Sequence, residues 1–367
     1  MPAADGASTA GLDASPGEAK RSGVGGAVEN VSASRWTLFG YLRAQLAVVQ
    51  NDPNVAFVGR DDGFALQHAR LGVRGRPAPR VEVELSLDGA VDEREVNAPN
   101  GELRVGLRDA RVELDLGAGW TARVGRFEIW FDPDGAPDPD RPFIDRALPS
   151  RGVRATEGWQ TQGLPPGRSL GVAARWSAAA AEGAPPPLAL ELAAQNGADE
   201  FASGNDNDAL ALSVAARAEA RLGWAQLAGR WNPRTEGDQP FRQEETDLQA
   251  SLGVGTILGP VRLAAGAVLV RTTFATTGGP SQRSWGAHGQ GLATVPAPWP
   301  LEVGYRFAIL DPSSLVLTDR LMEHTLGAVL ALPTWRLRLL LNATHAVEQD
   351  QRELTNDRLE ALLEVRL

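Results

Sequence analysis

Hydrophobic and polar residues alternate with a period of two over most of the chain from Trp36 to Leu367. In the segment VEVELSLD, residues 81–88, the apolar side chains fall on one face of an extended strand and the charged or hydroxyl side chains fall on the other. The segment RLEALLEVRL, residues 358–367, alternates in much the same way. A helix would spread these charges around its circumference, so the pattern predicts two-faced β-strands.

The same pattern predicts sixteen strands, joined by connections that alternate in length. The strands are predicted at residues 36–51, 64–77, 81–89, 105–116, 120–131, 169–177, 188–195, 209–222, 224–231, 245–255, 261–274, 284–295, 301–309, 320–332, 335–348 and 357–367. Connections such as 77–80, 117–119 and 333–334 are short, whereas 51–63 and 132–168 are long and polar. Tight turns at one end and excursions at the other are typical of outer-membrane barrels. We therefore expect an all-β fold, a 16-stranded antiparallel transmembrane β-barrel, because closure leaves no strand edge unpaired in lipid.

Tryptophans supply a separate indication of the same fold. A barrel would gather into one ring, at a single membrane interface, the tryptophans that lie beside short turns or start the first strand. They are Trp36, Trp120, Trp176, Trp224, Trp299 and Trp335. Trp130 and Trp231 are expected at the opposite rim. In a soluble β-sandwich or β-solenoid, the alternative fold, tryptophans would enter the core without regard to the turns.

The chain divides into two regions. Residues 1–34 are rich in Ala, Gly and Ser and have no apolar periodicity, which predicts a disordered N-terminal tail without the apolar core of a secretory signal. Residues 35–367 form the predicted barrel. The chain contains no run of eighteen apolar residues, which a membrane-spanning helix would need, and it has no cysteine.

The connection 132–168 is too long for a simple turn, and we expect it to fold inward as the third loop and narrow the channel. Its arginines would then be constriction charges: Arg141, Arg146, Arg151 and Arg154. The Asp-rich segment FDPDGAPDPD, residues 131–140, could bind Ca²⁺, but it lacks the EF-hand spacing and its prolines favour a solvated loop.

Arginines on the polar strand faces are the candidate functional residues. With apolar faces outward, they would line the lumen as rows of positive charge, and guanidinium groups bind carboxylate or phosphate oxygens bidentately. The candidates of this kind are Arg70, Arg74, Arg217, Arg230, Arg306 and Arg338. The alternative is that these arginines pair with lumenal carboxylates such as Glu84 and Glu364. The sequence leaves both interpretations open.

Other functions find little support. The net charge of −10 provides no basic excess for nucleic acid. The four histidines show no metal-binding spacing, and Asn342 and His345, imaginable as a catalytic pair, fall on opposite faces of a strand. We expect neither an enzyme nor a bound cofactor.

Two pairs of motifs carry a family resemblance. FALQHARLGVRGRPAPRVEVELSLD from Phe64, followed by LRDARVELDLGAGWTARVGRFEIWF, resembles the early strands of the phosphate-selective porin O and P family. RPFIDRALPSRGV and RSLGVAARW resemble that family's constriction-loop exit and sixth strand. The resemblance covers residues 64–175 and implies a trimeric outer-membrane channel for small anions. By their match to the family's motifs, Arg123, Arg126, Arg146 and Arg154 are the residues that the resemblance implies guide anions.

Two departures argue against phosphate specificity. Glu128 stands where the family has a cation at the loop entrance, and Lys20 is the only lysine, whereas family members attract phosphate with lysines near the outer mouth. We expect a passive channel in the bacterial outer membrane for small hydrophilic solutes, above all phosphate-like anions. Its expected partners are outer-membrane lipid, lipopolysaccharide, small anionic solutes and two further copies in a homotrimer. The alternative function is a non-conducting barrel that anchors a larger envelope assembly.

Overall fold

Sixteen antiparallel strands close into one barrel in a computed structural model of the chain. Each strand pairs with its neighbours along the chain, and the first strand closes the barrel by pairing with the last. The structure describes residues 36–60, 62–89, 105–134, 141–180, 184–197, 204–237, 240, 242–275, 281–349 and 353–367. The predicted tail, residues 1–34, lies outside these ranges. The prediction of a 16-stranded barrel is confirmed.

The barrel strands are β1 (Trp36–Val49), β2 (Gly63–Ala78), β3 (Val81–Asp88), β4 (Gly106–Gly117), β5 (Trp120–Phe127), β8 (Ser169–Ser177), β9 (Leu188–Asn196), β10 (Leu210–Ala220), β11 (Gly223–Glu236), β12 (Gln243–Leu258), β13 (Val261–Phe274), β14 (Gln282–Val295), β15 (Leu301–Asp311), β16 (Leu321–Leu332), β17 (Leu337–Glu348) and β18 (Arg358–Arg366). The long connection between β5 and β8 holds helix α1 (Leu148–Arg151) and a hairpin of β6 (Gly152–Val153) and β7 (Thr161–Gln162). A 3₁₀ turn, Pro333–Trp335, joins β16 to β17. Within the described ranges, no helix has the length and apolarity that crossing a membrane requires.

An apolar belt covers the outside of the barrel. Leu227 of β11 lies directly opposite Leu252 of β12, and the two side chains are 61% and 50% exposed. Similar exposed leucines and valines occur on strands all around the barrel. A soluble protein rarely exposes so large an apolar surface, whereas a barrel that faces lipid requires it. The alternative of a soluble sandwich is therefore excluded.

Most of the predicted tryptophan ring is present at the short-turn end. Trp120 is paired directly with Trp176 on the outer face. Others that are exposed there are Trp36, Trp299 and Trp335. These indole rings are placed where a membrane interface would accept both their apolar body and their polar N–H group.

Two tryptophans depart from the prediction. Trp224 occupies an inward register position, opposite Glu219 and Gly255, and the Arg217 guanidinium lies 5.4 Å from its ring centroid. It therefore faces the lumen. Trp130 does not reach the opposite rim, because the chain leaves the barrel wall after β5 ends at Phe127, four residues earlier than predicted.

The long connection, residues 128–168, folds into the lumen as predicted, and we call it the inward loop. It packs against the inner face of the barrel through three apolar side chains. Phe131 lies in a cluster with Val268 and Val270, Leu148 in one with Ala308 and Leu310, and Ile144 in one with Leu340 and Leu362. We call the inner face of β13–β18 the covered wall. The inner face of this wall carries apolar patches among its polar residues, because these patches must bind the apolar side of the loop.

Glycines on the covered wall let the inward loop approach closely. A Cβ atom added at Gly286 would lie 2.7 Å from Pro149 of helix α1, and one added at Gly327 would lie 2.8 Å from the ring of Phe143. Both distances are shorter than van der Waals contact. The loop therefore fits only because these positions lack side chains.

Candidate functional site

An alternating row of arginines and glutamates crosses the inner face of β2–β5, which we call the charged wall. Arg74 Nη2 and Arg111 Nη2 lie 2.7 Å and 2.8 Å from the same oxygen, Glu84 Oε2. Arg123 Nη2 of β5 lies 2.6 Å from Glu113 Oε1 of β4. Because directly opposed residues on neighbouring antiparallel strands share a face, alternating charges at these positions form cross-strand pairs.

A second row runs from the charged wall to the inward loop. The carboxylate of Asp109 of β4 accepts hydrogen bonds from Arg70 Nη2 at 2.5 Å and from Arg168 Nε at 3.0 Å. Arg168 reaches Glu128 at 2.8 Å, and Arg146 reaches Asp132 at 3.0 Å and Glu128 at 3.6 Å. Glu128, which stands where the resembling family has a cation, thus connects two arginines. This row fixes the start of the inward loop beside the charged wall.

The ten candidate arginines divide into three groups by position. Seven face the lumen from barrel strands, and two, Arg146 and Arg154, lie in the inward loop. The seven are Arg70, Arg74, Arg123, Arg217, Arg230, Arg306 and Arg338. Arg126 differs, because it takes an outward register position in β5 and donates to the backbone carbonyls of Leu107, Arg108 and Arg168.

Each candidate arginine has a hydrogen-bond or ion-pair partner in the structure. Arg217 pairs with Glu219, Arg338 with Glu364, Arg230 with the Gln249 amide, and Arg306 with the backbone carbonyl of Asp145. Three of the side chains are exposed enough to meet a solute, at 36% for Arg74, 27% for Arg154 and 37% for Arg217. These three arginines are therefore the candidates that can contact an anion in the lumen without moving from their present positions.

An ion network, buried except for Arg154, fastens the inward loop to the covered wall. Arg151 of helix α1 lies 2.6 Å from Glu157 of the loop and 2.6 Å from Glu323 of β16. Arg358 of β18 reaches Glu323 at 2.8 Å. Arg154 adds contacts with Asp145 at 2.7 Å and Glu157 at 2.8 Å. We call this set of residues the latch.

The latch corrects one sequence prediction. Arg151 was expected to be a constriction charge, but its residue is only 1% exposed and cannot meet a solute. The pairing signal was hidden because Arg151 and Glu323 are 172 positions apart in the chain. Arg141, another predicted constriction charge, is likewise buried, at 2%.

Glu157 and Asp145, the two latch carboxylates of the inward loop, are ionised at neutral pH. Burial alone would raise the pKa of Glu157, but Arg151 and Arg358 outweigh it and lower the pKa from 4.5 to about 2. Burial likewise opposes ionisation of Asp145, and Arg154 and Arg151 hold the pKa of that carboxyl well below its ordinary value. The ion pairs of the latch are therefore fully formed at neutral pH.

Among the described residues, the side chains considered for catalysis or metal binding do not assemble into a site. Asn342 is buried on the lumenal side, whereas His345 lies on the outer side, where its Nδ1 is 2.7 Å from Asp357. The prediction that they face opposite sides is confirmed. Among the residues that the structure describes, no three His, Asp or Glu side chains are grouped as metal ligands. Residues 135–140 of the Asp-rich segment lie outside the described ranges.

Comparison with known proteins gives matches at the level of structure alone. No family model and no curated protein matches the chain, so the resemblance to the phosphate-selective family is not confirmed. The outer-membrane channel DcaP of Acinetobacter baumannii matches with a TM-score of 0.65 at 13% identity, covering 92% of this chain and 99% of that one. OmpT, an outer-membrane protein of Vibrio cholerae in its trimer form, matches with a TM-score of 0.63 at 10% identity, and the match covers 92% of this chain and 100% of OmpT. OmpF of Salmonella typhi, in complex with daunomycin, matches with a TM-score of 0.59 at 14% identity, and the match covers 90% of this chain and 97% of OmpF. At these identities the likeness concerns the fold, and the fold of this chain is that of the outer-membrane porin barrels.

Proposed function

We propose that the chain is a passive diffusion channel for small hydrophilic solutes in the bacterial outer membrane. The observation that carries the proposal is the placement of the inward loop against the covered wall, with the charged wall left without an apolar partner. Charged side chains in such rows need water or solute on their open side. The apolar outer belt suits a bilayer, and the tight and long turns suit its two interfaces.

Small anions are the solutes that we propose the channel favours. Arg74, Arg154 and Arg217 combine a lumenal or loop position with side chains that are more than a quarter exposed. A guanidinium that already shares a carboxylate can still donate from its other N–H groups to a passing carboxylate or phosphate. Because carboxylates alternate with the arginines, the anion preference is expected to be modest. We do not propose phosphate specificity, since the departures at Glu128 and Lys20 oppose it.

A homotrimer, in contact with lipid and lipopolysaccharide, is part of the proposal. OmpT of Vibrio cholerae, which shares the fold, is described in a trimer form. The molar mass of the detergent-solubilised protein, measured by light scattering with detergent correction, distinguishes three copies from one. A monomer at all concentrations would contradict this part of the proposal.

Planar-bilayer recording of the purified full chain tests the channel. We expect stable open steps, and a reversal potential in a potassium chloride gradient that indicates a modest preference for chloride. Replacing chloride with phosphate measures the response to a polyvalent anion. Silence in every salt, from protein that is folded by its heat-modifiable mobility in gels, would contradict the proposal and favour the non-conducting anchor.

A further inference from the structure

Two aromatic side chains face the lumen in the short-turn half of the barrel, and each lies beside an exposed arginine. The Arg217 guanidinium lies 5.4 Å from the ring centroid of Trp224, and its side chain is 37% exposed. The Arg74 guanidinium lies 5.4 Å from the ring centroid of Phe39, and its side chain is 36% exposed. The first pair belongs to β10 and β11, and the second belongs to β1 and β2, almost on the opposite side of the barrel. We call these two sets the aromatic–arginine pairs.

Glycines on the neighbouring strands let both rings lie against the inner wall. A Cβ atom added at Gly72, directly opposite Phe39, would overlap the phenyl ring. One added at Gly255, directly opposite Trp224, would overlap the indole Nε1, and one added at Gly253 would lie 3.0 Å from the six-membered ring. The wall therefore fixes the position of each ring, while both side chains stay partly exposed to the lumen. A ring held in this way offers a π-face to a solute at low entropic cost.

Both arginines have N–H groups to spare beside these rings. Arg74 donates to Glu84 through Nε and Nη2, and its Nη1 donates to no residue that the structure describes. Arg217 Nε lies 2.7 Å from Glu219, and within the described ranges neither terminal nitrogen of Arg217 makes a hydrogen bond. Each pair thus combines an apolar ring face with donors that suit a carboxylate.

The same kind of contact also occurs where it serves packing alone. The Arg306 guanidinium lies 4.6 Å from the ring centroid of Phe143, and both residues are at most 2% exposed. A solute does not reach such a contact. Exposure to the lumen therefore distinguishes the two aromatic–arginine pairs from a contact that holds the inward loop in place.

We propose that the channel favours aromatic carboxylates among small anions, an inference that rests on the proposed anion channel and names its class of substrate. The carboxylate accepts hydrogen bonds from the guanidinium of Arg74 or Arg217. The aryl ring stacks on Phe39 or Trp224, a contact that an aliphatic anion cannot reproduce. Because each pair holds the solute by one ring and one shared guanidinium, binding stays weak enough for release, as passage through a channel requires.

Chloride currents through the full chain in planar bilayers, titrated with benzoate or with cyclohexanecarboxylate, test the proposal. The two anions have the same charge and nearly the same size, but only benzoate has a π-face. Since stacking of aromatic rings is a modest attraction, we expect benzoate to halve the chloride current at a concentration about threefold lower than cyclohexanecarboxylate does. An open channel on which the two anions act equally, or on which neither acts, would overturn this inference and leave the proposed channel standing. Silence in every salt would contradict the channel itself, and this inference with it.

Variants assign the preference to the two rings. The double variant Phe39→Leu/Trp224→Leu is expected to abolish the difference between benzoate and cyclohexanecarboxylate, whereas Trp224→Phe, which keeps a ring at that position, retains it. Trp299→Leu is the control, because it removes an indole from the outside of the barrel at the same end, where Trp299 is 61% exposed. A preference for benzoate that survives the double variant would overturn the assignment.

A second double variant tests the arginines and does not depend on the folding of the first. Arg74→Gln/Arg217→Gln leaves both rings in place and removes the partners of the carboxylate. We expect it to weaken the action of both anions by the same factor, so that the ratio between them is unchanged. Inhibition at the original concentrations would overturn the role of the two aromatic–arginine pairs.

Discussion

The covered wall and the charged wall belong to one barrel, yet their inner faces are built differently. On β13 the inward residues include Gly266, Val268 and Val270, so both faces of the middle of that strand are apolar. On β3 the inward residues include Glu82 and Glu84, and only the outer face is apolar. Lipid determines the outer face of both walls in the same way. The residues of the inner face depend on what lies against them, which is the inward loop on the covered wall and solvent with counter-charges on the charged wall.

The difference teaches that departures from alternation carry information in a barrel sequence. A strand of this kind that is apolar on both faces must be covered from within, because bare apolar surface in a water-filled lumen is unfavourable. Glycine on such a strand marks the closest approach of the loop. The four predictions below test this contrast, from the largest expected effect to the smallest.

Breaking the latch on the covered wall is expected to have the largest effect. Arg151→Ala leaves Glu157 and Glu323 buried with fewer cations, which typically costs about 3–5 kcal/mol in the free energy of unfolding. The control is Arg262→Ala, which breaks an ion pair with Glu302 whose arginine side chain is 43% exposed, at a cost of about 0–1 kcal/mol. Urea unfolding of the folded barrel, followed by tryptophan fluorescence, measures both. Equal costs would contradict the structural role of the latch.

A methyl group on the covered wall is expected to have the next largest effect. Gly286→Ala places a Cβ atom 2.7 Å from Pro149, and such overpacking typically costs about 1–3 kcal/mol in the free energy of unfolding. Gly289 lies on the same strand, and a Cβ atom there has no heavy atom within 4 Å. Gly289→Ala is therefore expected to be neutral. The same urea titration compares the pair, and a neutral Gly286→Ala would mean that helix α1 does not lie on β14.

Charge removal from the charged wall is expected to change selectivity rather than stability. Removing one exposed unit charge raises the energy of an anion about 4 Å away, and lowers that of a cation, by about 1 kcal/mol in water, so Arg74→Gln should shift the permeability ratio toward cations by at most about thirtyfold. Arg230, which is 7% exposed, is too buried to contact a passing ion directly, so Arg230→Gln is the control for direct contact. Reversal potentials in a salt gradient measure both. An equal shift in the two variants would indicate a general change in the pore.

Lowering the pH from neutral to about 5 is expected to have the smallest effect, which concerns the docking of the inward loop. The pKa of Glu157 is lowered from 4.5 to about 2 in the folded protein, so its stabilising contribution is fully present above 4.5 and is lost as the pH falls toward 2. Loop docking should therefore be unchanged between neutral pH and about pH 5. Single-channel current noise, recorded from neutral pH to below pH 4.5, measures loop docking, and Glu157→Gln is the comparison at the acid end of the range. Loss of docking near neutral pH would contradict an ionised latch.

The sequence predicts the barrel better than it predicts the contents of the lumen. Strands such as Val81–Asp88 could be predicted because lipid on one side and water on the other impose strict alternation. The inward fold of the loop could be predicted from its length, but its position could not. The latch joins Arg151 to Glu323 across 172 positions, and no local pattern connects them. Arg126 was matched by motif, yet its register places it on the outward side of β5.

The central claim is that water reaches the charged wall while the inward loop seals the covered wall. The chain has no cysteine, so one introduced thiol reports on one position. Thr121→Cys places the thiol on β5 of the charged wall, and Thr325→Cys places it on β16 of the covered wall, where Thr325 is 1% exposed. We expect a charged methanethiosulfonate reagent to lower the single-channel conductance of Thr121→Cys in discrete steps and to leave Thr325→Cys unchanged. Equal modification of the two thiols, or no open channel in either variant, would contradict the account.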